Sequence, residues 1–587
     1  MHATNVSDPN YFHRVVDCQW ACPAHTPVPE YIRLIAQGRY GDAYMVNWVS
    51  NVFPGILGRT CDRPCEPACR RGRVEEKNLE KAEPVAICRL KRVAADHKED
   101  ITARLPSARP GNGKRIACVG AGPSSLTVAR DLAPLGYEVT VFDADPKAGG
   151  FMRTQVPRFR LPESVIDEEV GYILRDNVSF VGGTRIGSMK ALLTEGWDAI
   201  FVGSGAPRGR DLDVPGRKEA AAQIHLGLDW LASVYFGHVT KVGKRVIVLG
   251  GGNTAMDCCR SARRLGAGEV KVVVRSTFDD MKASPWEKED AMHEGIPILP
   301  CHVPKSVIHV NGAIRGMTFE IVESVYDANG RRSLKPTGVP DVFIECDEVL
   351  VAIGQENAFP WIERDIGIDF LPTGLPLVDA GTHRSSLAHV FFGGDAAFGP
   401  KNIITAVAHG HEAAISIDAL LRGEDLQQRP APHVNVLSQK MGIHEWSYDN
   451  AISADLRHKT RWMKAEQALK SIKIEAELGF DAATAFKETQ RCLNCDVQTV
   501  FADKLCIECD ACVDICPMDC ISFVEPGDEA ALRSRLKAPA RNATQALYTS
   551  GALKTARLMV KDEDVCLHCG LCAERCPTGA WDMQKFL

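Results

Sequence analysis

The chain has 587 residues, of which 45% are hydrophobic and 25% are charged, and its formal net charge is −6. One hydrophobic core cannot serve a chain of this length, so we expect about three to five domains. The mild charge and the lack of a Lys/Arg block argue against nucleic acid as a partner. No apolar signal core opens the chain, and no stretch reaches the ~18 apolar residues of a membrane helix, so we expect a cytoplasmic protein without a membrane span.

The sequence contains 22 cysteines, and most of them are clustered. Cytosolic thiols stay reduced, so clustered cysteines predict bound metal rather than disulfides. The first cluster lies among helix-like segments such as "VPEYIRLIAQGRYGDAYMVNWV". Its members are Cys18, Cys22, Cys61, Cys65, Cys69 and Cys88.

Short apolar runs then alternate with helical patterns, which predicts an α/β region with parallel sheets. In "RIACVGAGPSSLTVARDL" an apolar strand runs into a glycine motif and a helix, so a pyrophosphate can approach the helix N-terminus. The motif is Gly120-x-Gly122-x-x-Ser125, in which a serine takes the place of the third glycine. The next strand ends at an acid, about 20 residues on, where a carboxylate can grip a ribose hydroxyl. The residues expected at this first dinucleotide site are Gly120, Gly122, Pro123, Ser124 and Asp143.

A second motif, "KRVIVLGGGNTAMDCCRSARRLG", again follows an apolar strand and opens a helix. The following strand, "EVKVVV", ends at Arg275 and lacks an acid. An arginine there can pair with the 2′-phosphate of NADP, although an arginine on a solvated loop is the alternative. The residues expected at this second site are Gly250, Gly252, Asn253, Thr254, Ala255 and Arg275.

Two dinucleotide sites in one α/β region predict a flavin together with a nicotinamide. A third element, "HVFFGGDAAFGPKNIITAVAHGHEAA", supports this interpretation. Its strand leads into Gly393-Gly394-Asp395, where the carboxylate can bind the ribityl or phosphate end of the flavin. Cys118, Cys258, Cys259, Cys301 and Cys346 are scattered through this region and are interpreted as structural.

The C-terminal region carries two copies of the bacterial ferredoxin run C-x2-C-x2-C-x3-C-P, in which the fourth cysteine ligates the other cluster. Zinc fits this repeated spacing badly, so we predict two [4Fe–4S] clusters. The expected ligands of one are Cys506, Cys509, Cys512 and Cys576. The expected ligands of the other are Cys566, Cys569, Cys572 and Cys516. Cys520 is left over and is expected to pack as a small apolar residue.

Residues 10–430 resemble the small (beta) subunit of glutamate synthase and its relatives. These include the N-terminal half of dihydropyrimidine dehydrogenase and the large subunit of NADH-dependent ferredoxin:NADP oxidoreductase. The motifs that carry the resemblance are "CDRPCEPACRRG", "VGAGPSSL", "GGFMRTQVPRFRLP", "VLGGGNTAMDCCR", "DEVLVAIGQ" and "FFGGDA". The resemblance implies FAD in the first site, with Gly150, Gly394 and Asp395 also at this cofactor, and NAD(P)H in an inserted domain. Relatives often carry paired arginines after the second strand, whereas this chain has Arg275-Ser276.

The resemblance also implies two [4Fe–4S] clusters in the N-terminal region. Relatives place an R-C-L-x-C element before the cysteine that matches Cys18; here it is absent from that place, yet "RCLNC" occurs at 491–495. We therefore predict that Cys492 and Cys495 complete a cluster with Cys18 and Cys69; a loose thiol pair is the alternative. The second cluster would use three cysteines and an undecided fourth ligand. These cysteines are Cys22, Cys61 and Cys65, and the residues considered for the fourth position are Lys91, a poor ligand, and Cys88.

The predicted fold class is therefore α/β, with two doubly wound dinucleotide-binding domains for FAD and NAD(P), a helical iron–sulfur domain before them and a bacterial ferredoxin-like domain after them. The predicted boundaries are 1–112 for the helical iron–sulfur domain, 113–242 and 345–430 for the FAD domain, 243–344 for the inserted NAD(P) domain, 431–500 for a linker with the RCLNC element, and 501–587 for the ferredoxin-like domain.

The expected activity is hydride transfer between NAD(P)H and FAD, followed by one-electron steps through the clusters, and hydride transfer demands no catalytic side chain. The expected partner is ferredoxin or a larger oxidoreductase complex, for example a 2-oxoacid:ferredoxin oxidoreductase. The alternatives are a glutamate synthase beta subunit that feeds an absent large subunit, and a non-catalytic scaffold whose flavin site has decayed. The sequence leaves open the physiological partner, the choice between NAD and NADP, the direction of electron flow and the oligomeric state.

Overall fold

The computed structural model describes residues 2–6, 8–73, 82–430, 436–437, 453–538, 540 and 542–586. The chain forms two compact units, each built from segments that are distant in sequence. Unit 1 comprises 1–103, 428–460 and 479–587, and unit 2 comprises 104–427 and 461–478. The stretch predicted as a linker is thus divided between the two units, and its residues 431–435 and 438–452 lie outside the described part of the chain.

The first sheet of unit 2 has five parallel strands. In spatial order they are Val390–Phe392, Ala199–Val202, Arg115–Val119, Glu138–Phe142 and Val178–Val181. The three strands at the first end of this order are almost wholly buried, as expected where helices cover both faces of a parallel sheet. The chain enters the glycine motif at the carboxyl end of the central strand, which is where doubly wound folds bind ligands.

The second sheet of unit 2 also has five parallel strands. In spatial order they are Ile224–Leu226, Glu348–Val351, Arg245–Leu249, Glu269–Val273 and Ile298–Leu299. Its two first-named strands lie outside the predicted limits of 243–344, so this sheet begins earlier and ends later than the sequence pattern indicates. The edge strand is only three residues long, too short to give a periodic signal.

Helices and smaller sheets complete unit 2. An antiparallel sheet of four strands follows the second parallel sheet, and its strands are His302–Val310, Ala313–Tyr326, Arg332–Pro336 and Val342–Glu345. Short pairs join Arg208–Gly209 to Gln355–Glu356 and Arg461–Trp462 to Glu477–Gly479. The α-helices are Pro123–Leu132, Phe151–Thr154, Glu163–Gly171, Met189–Leu193, Gly227–Tyr235, Asn253–Arg264, Pro285–His293, Asp395–Phe398, Ile403–Arg422 and Ala465–Ala468.

The N-terminal part of unit 1 is helical, as predicted. Its α-helices are Pro9–Arg14, Asp17–Trp20, Val28–Ala36, Tyr40–Asn51, Pro54–Thr60, Cys65–Ala68 and Ile87–His97. Proline at the first turn of Val28–Ala36 suits a helix start, and seven of the nine residues of this helix are buried. A later helix, Ala482–Thr489, belongs to the same unit; the side chain of Asp481 caps it by accepting from Thr484 N at 2.8 Å.

The C-terminal part of unit 1 is a twofold-repeated ferredoxin-like fold. Each cysteine run is followed by a five-residue helix, Ala511–Ile515 or Leu571–Arg575. The strands are Val497–Phe501 paired with Trp581–Phe586, which also pairs with Val436–Leu437, and a sheet of Ile521–Val524, Leu558–Lys561 and Tyr548–Thr549. Because the strand at 497 pairs with the last strand, this fold begins before the predicted boundary at 501. A further helix, Glu529–Arg533, lies between the repeats.

The observed classes of fold confirm the predicted architecture: parallel doubly wound sheets, an N-terminal helical domain and a C-terminal ferredoxin-like domain. Among the described residues, every helix is too short or too polar to span a bilayer.

Candidate functional site

Unit 2 contains a cavity of about 520 Å³ at the carboxyl ends of the first sheet. Residues from both glycine motifs line it, so the two predicted dinucleotide sites open into one space. The predicted site residues that line it are Gly120, Gly122, Pro123, Ser124, Asp143, Gly150, Asn253, Thr254, Gly394 and Asp395. The predicted residues that do not line it are Gly250, Gly252, Ala255 and Arg275.

The first glycine of each motif is required by the backbone. Gly120 has φ +95°, and a Cβ there would lie 2.7 Å from the carbonyl oxygen of Gly203. Gly250 has φ +139°, and a Cβ there would lie 2.1 Å from the carbonyl oxygen of Ala352. At the second glycine of the second motif, Gly252, a Cβ would meet no atom within 4 Å. Each turn is therefore tight on its inner side, and the second motif is open where a pyrophosphate would lie.

Two carboxylates face the cavity from the ends of strands. Asp143 accepts from the backbone N–H of Ala121 at 2.6 Å, and Asp395 accepts from that of Lys401 at 2.9 Å. Burial raises the pKa of both carboxyl groups, and these backbone hydrogen bonds oppose the shift. Asn402 and Ile403, at the N-terminus of the 20-residue helix Ile403–Arg422, also line the cavity, so the dipole of this helix favours negative charge there.

The helix of the second motif contributes a buried acid that the sequence analysis did not single out. Asp257 lines the cavity and accepts from Arg160 Nη1 at 2.6 Å. Burial raises the pKa of Asp257 to about 6, although the arginine lowers it. Arg275 is exposed, two residues after the strand Glu269–Val273, which is the position expected for a nucleotide 2′-phosphate contact.

The eight cysteines of the ferredoxin runs surround two small cavities. One is lined by Cys506, Cys509, Cys512 and Cys576. The other is lined by Cys516, Cys566, Cys569 and Cys572, together with Cys520. Each cavity takes its fourth cysteine from the other run, which is the arrangement expected for two [4Fe–4S] clusters. Cys520 packs at the edge of the second set, with its sulfur 3.4 Å from that of Cys516.

The RCLNC segment lies beside the N-terminal cysteines. A third small cavity is lined by Cys18, Cys69, Cys492 and Cys495. Burial raises the pKa of the Cys18 thiol, and the nearby sulfurs of Cys69, Cys495 and Cys492 raise it further. The predicted juxtaposition is therefore present in the structure, and iron binding by these four thiols stays a prediction.

Buried ion pairs hold the RCLNC segment in this position. The guanidinium of Arg33 binds both carboxylate oxygens of Asp496 and is 3.4 Å from Asn494 Oδ1. Arg491 is fully buried and donates to the carbonyls of Glu83 at 2.8 Å and Pro84 at 3.0 Å. Long-range contacts thus hold the RCLNC segment beside N-terminal cysteines that are far from it in the sequence.

A second group of buried sulfurs lies in the same helical domain. The Cys88 thiol and the backbone N–H of Cys61 both donate to the Leu57 carbonyl, at 3.2 Å and 3.1 Å, and burial, with Cys22 and Cys88 nearby, raises the pKa of the Cys65 thiol. Lys91 is 4% exposed, and the sulfurs of this group lie close enough to raise the pKa of its amine when they are ionised, against the lowering by burial. The three predicted ligands and both residues considered for the fourth position are therefore together.

His568 connects two of the cysteine sets, and the sequence analysis missed it. Its ring Nδ1 donates to the backbone oxygen of Cys495 at 2.9 Å, and its backbone N–H is 3.3 Å from Cys566 Sγ. Arg70 contacts the carbonyl oxygen of Cys566 and pairs with Asp17, which precedes Cys18. One buried residue thus touches the N-terminal set through its ring and the C-terminal set through its backbone N–H.

Four family models match the chain. They are pyridine nucleotide-disulphide oxidoreductase over 163–410, NAD(P)-binding Rossmann-like domain over 118–175, dihydropyrimidine dehydrogenase domain II, 4Fe-4S cluster, over 13–102, and 4Fe-4S dicluster domain over 505–580. The glutamate synthase (NADPH) small chain of Azospirillum brasilense is 30% identical over 431 residues, which cover 69% of this chain and 86% of that protein. The chain belongs to the glutamate synthase small-subunit family.

Two longer relatives match a larger share of the chain. The NADP(+)-dependent formate dehydrogenase subunit beta of Moorella thermoacetica is 32% identical over 505 residues, which cover 81% of this chain and 70% of that protein. The NADPH-Fe(3+) oxidoreductase subunit beta of Geobacter sulfurreducens is 31% identical over 539 residues, which cover 84% and 78%. This member of the family is an NAD(P)H-dependent flavin and iron–sulfur oxidoreductase.

The residues present fit the cofactors of the family. The two glycine motifs retain the backbone that a dinucleotide needs, and both strand-end carboxylates face the shared cavity. Three sets of four cysteines surround cavities, and thiolates are the usual ligands of [4Fe–4S] clusters. The flavin site therefore retains these features, which a non-catalytic scaffold with a decayed flavin site would have lost.

Proposed function

We propose that this chain is the electron-transfer subunit of a larger oxidoreductase and links NAD(P)H to ferredoxin or to a partner enzyme, for example a 2-oxoacid:ferredoxin oxidoreductase. The observation that carries the proposal is the contact of His568 with both Cys495 and Cys566. It supports a continuous path between an N-terminal cluster and the ferredoxin-like domain. When bound, FAD would take up a hydride and release single electrons, and the clusters would carry them.

The protein's own residues bind and orient these groups. The first glycine motif, with Asp143, would hold the adenosine end of FAD, and Asp395 would hold its ribityl or phosphate end. The second motif, with Asn253, would present NAD(P)H to the same cavity. Asn253 is oriented for this by Ser284, whose backbone N–H donates to its side-chain oxygen at 2.9 Å. No side chain needs to donate or accept a proton for hydride transfer.

We propose four [4Fe–4S] clusters. The ligand sets are Cys18, Cys69, Cys492 and Cys495; Cys22, Cys61 and Cys65 with a fourth ligand; Cys506, Cys509, Cys512 and Cys576; and Cys516, Cys566, Cys569 and Cys572. The electron outlet would be the ferredoxin-like domain. Cys509 is exposed there, and so are three apolar side chains near it in the chain, Leu505, Ile507 and Ile515. Such a surface suits contact with a protein partner.

The names of the relatives support the choice of a partner enzyme over a free-standing activity. Each of the two longer relatives is named as the beta subunit of a larger enzyme, one of formate dehydrogenase and one of an NADPH-Fe(3+) oxidoreductase. A glutamate synthase beta subunit is the second candidate, because a small chain of that enzyme matches most of this chain. The two longer relatives match 81% and 84% of this chain against 69% for that small chain, which favours the first candidate.

The isolated holoprotein should oxidise NAD(P)H with a viologen dye but convert no carbon substrate, because the motifs described here handle electrons and bind no organic substrate. The assay supplies the pure chain with NAD(P)H and either formate, or 2-oxoglutarate with glutamine. Dye reduction without product supports the subunit assignment. Steady formation of glutamate or loss of formate without another protein would overturn it.

NADPH should be preferred over NADH, because Arg275 stands where a 2′-phosphate would lie and the strand lacks an acid. The substitution Arg275→Ala should raise the KM for NADPH about tenfold, equivalent to about 1.4 kcal/mol, and leave the KM for NADH unchanged. Steady-state dye reduction with each nucleotide measures this. Arg315→Ala, at an exposed arginine of the antiparallel sheet, is the matched control. Equal effects on both nucleotides would assign Arg275 to general binding.

A further inference from the structure

The second N-terminal cysteine group has the composition of a complete cluster site. Cys22, Cys61, Cys65 and Cys88 are each no more than 6% exposed. The Cys88 thiol and the backbone N–H of Cys61 both donate to the Leu57 carbonyl, at 3.2 Å and 3.1 Å, and the backbone N–H of Cys88 donates to Glu66, the residue after Cys65. Three thiolates leave a [4Fe–4S] cluster one ligand short, and Cys88 brings a fourth sulfur to the group.

The local fold explains why Cys88 reaches this group. It is the second residue of the helix Ile87–His97, so it lies in the first turn, where the backbone dipole stabilises a thiolate. Two glutamates from outside the helix hold its start in place: Glu488 accepts from Ala86 N at 2.7 Å, and Glu66 accepts from Cys88 N at 3.1 Å. The thiol now donates to the Leu57 carbonyl at 3.2 Å, a contact that it would exchange for iron.

Lys91 is the second, independent observation. It follows Cys88 by three residues and therefore lies on the same face of the helix. Lys91 is buried, which lowers the pKa of its amine, and the four sulfurs of the group lie close enough to raise that pKa above its usual value when they are ionised. A buried ammonium is costly unless a negative charge compensates it, and a cluster held by thiolates supplies such a charge.

We propose that the second N-terminal cluster is held by Cys22, Cys61, Cys65 and Cys88, and that the ammonium group of Lys91 is its buried counter-charge. This rests on the proposed function only in taking the N-terminal domain to hold two clusters. Lys91 does not ligate iron; its positive charge favours the more negative, reduced cluster and so raises the reduction potential. The cluster is thereby tuned by a residue that does not bind the metal.

The test uses the full chain, reconstituted without oxygen, in four forms: unmodified, Cys88→Ala, Cys88→Ser and Lys91→Met. Iron and sulfide per chain, EPR spectra and potentiometric titrations are recorded for each. Cys118→Ser is the matched control, because that thiol is buried in a strand and belongs to no cysteine group. Circular dichroism establishes that each variant is folded.

The unmodified chain should hold about sixteen irons, the content of four such clusters. Cys88→Ala should lose one cluster or convert it to a three-iron form, which has its own EPR signal in the oxidised protein. Cys88→Ser should keep the iron with a changed spectrum of one cluster. Lys91→Met should keep all the iron and make reduction of one cluster at least tenfold less favourable, about 59 mV for one electron.

Full iron and an unchanged spectrum in both Cys88 variants would overturn the ligand assignment. Loss of iron in Lys91→Met, with Cys88→Ser unaffected, would make the lysine the ligand and also overturn it. Iron ligation is measured separately from NAD(P)H oxidation, so a failure of the ligand assignment can be distinguished from a failure of the proposed function. A chain with about sixteen irons but no NAD(P)H–dye activity would contradict the proposed function alone.

Discussion

Replacement of Cys492 and Cys495 by serine is expected to remove about four of about sixteen irons and to abolish one of the N-terminal cluster signals. The two sulfurs line one cavity with Cys18 and Cys69, so their loss leaves half a ligand set. Serine is nearly isosteric, so packing changes little; a single serine oxygen can replace one thiolate, but two such replacements leave too few thiolates to hold the cluster. Iron analysis and EPR of the dithionite-reduced protein measure the effect.

A matched adjacent pair is available as the control for this variant. Cys258 and Cys259 are buried in the helix Asn253–Arg264, and their thiols face backbone carbonyls at 3.8 Å and 3.2 Å, which serine hydroxyls can also bind. The double serine variant of this pair should keep every cluster. Full iron and unchanged spectra in the C492S/C495S protein would show that the RCLNC segment supplies no cluster ligand. Its role would then be structural, with Arg33 and Arg491 holding it in place.

Placement of the RCLNC segment could be predicted because a motif was missing from one place and present in another. The contacts that hold the segment in this place could not be predicted. The Arg33–Asp496 pair joins residues 463 positions apart, and the partners of Arg491 are backbone carbonyls. Neither kind of contact leaves a periodic or spaced pattern in the sequence, because the partners are set by the folded topology.

The same limit applies to the sheets and to the site residues. The glycine motifs and strand-end acids were predictable, since each combines a backbone requirement with a fixed spacing. The boundary of the second sheet was not, because Ile224–Leu226 is recognised as part of it only by its pairing with Glu348–Val351. Asp257 was missed for a similar reason, because it lines a cavity that is enclosed by two segments distant in sequence.

Removal of the His568 ring is expected to slow the reduction of the ferredoxin-like domain by NAD(P)H while all four clusters remain bound. The ring donates a hydrogen bond to the Cys495 carbonyl, and the backbone N–H of the same residue contacts Cys566. Loss of the ring therefore interrupts this path of contacts between the two ligand sets. The residue has φ +55°, a conformation that glycine adopts freely, so His568→Gly removes the ring without backbone strain. The buried ring also contacts Glu563 at 3.3 Å, so its removal leaves a cavity and should lower the free energy of unfolding by about 3 kcal/mol.

Two further variants separate a role in the path from a role in folding. His568→Asn should restore much of the rate, because asparagine tolerates this backbone region and keeps a donor near the position of Nδ1. Glu508 occupies the equivalent place in the other repeat, with the same φ of +55°, and its carboxylate binds Thr555 and Arg557 rather than a second cysteine set. Glu508→Gly should therefore leave the rate of reduction unchanged. Rapid mixing with NAD(P)H followed by freeze-quench EPR measures each rate. Equal slowing in the Glu508 and His568 glycine variants would show that loosening of the domain, and not the bridge between Cys495 and Cys566, controls electron passage.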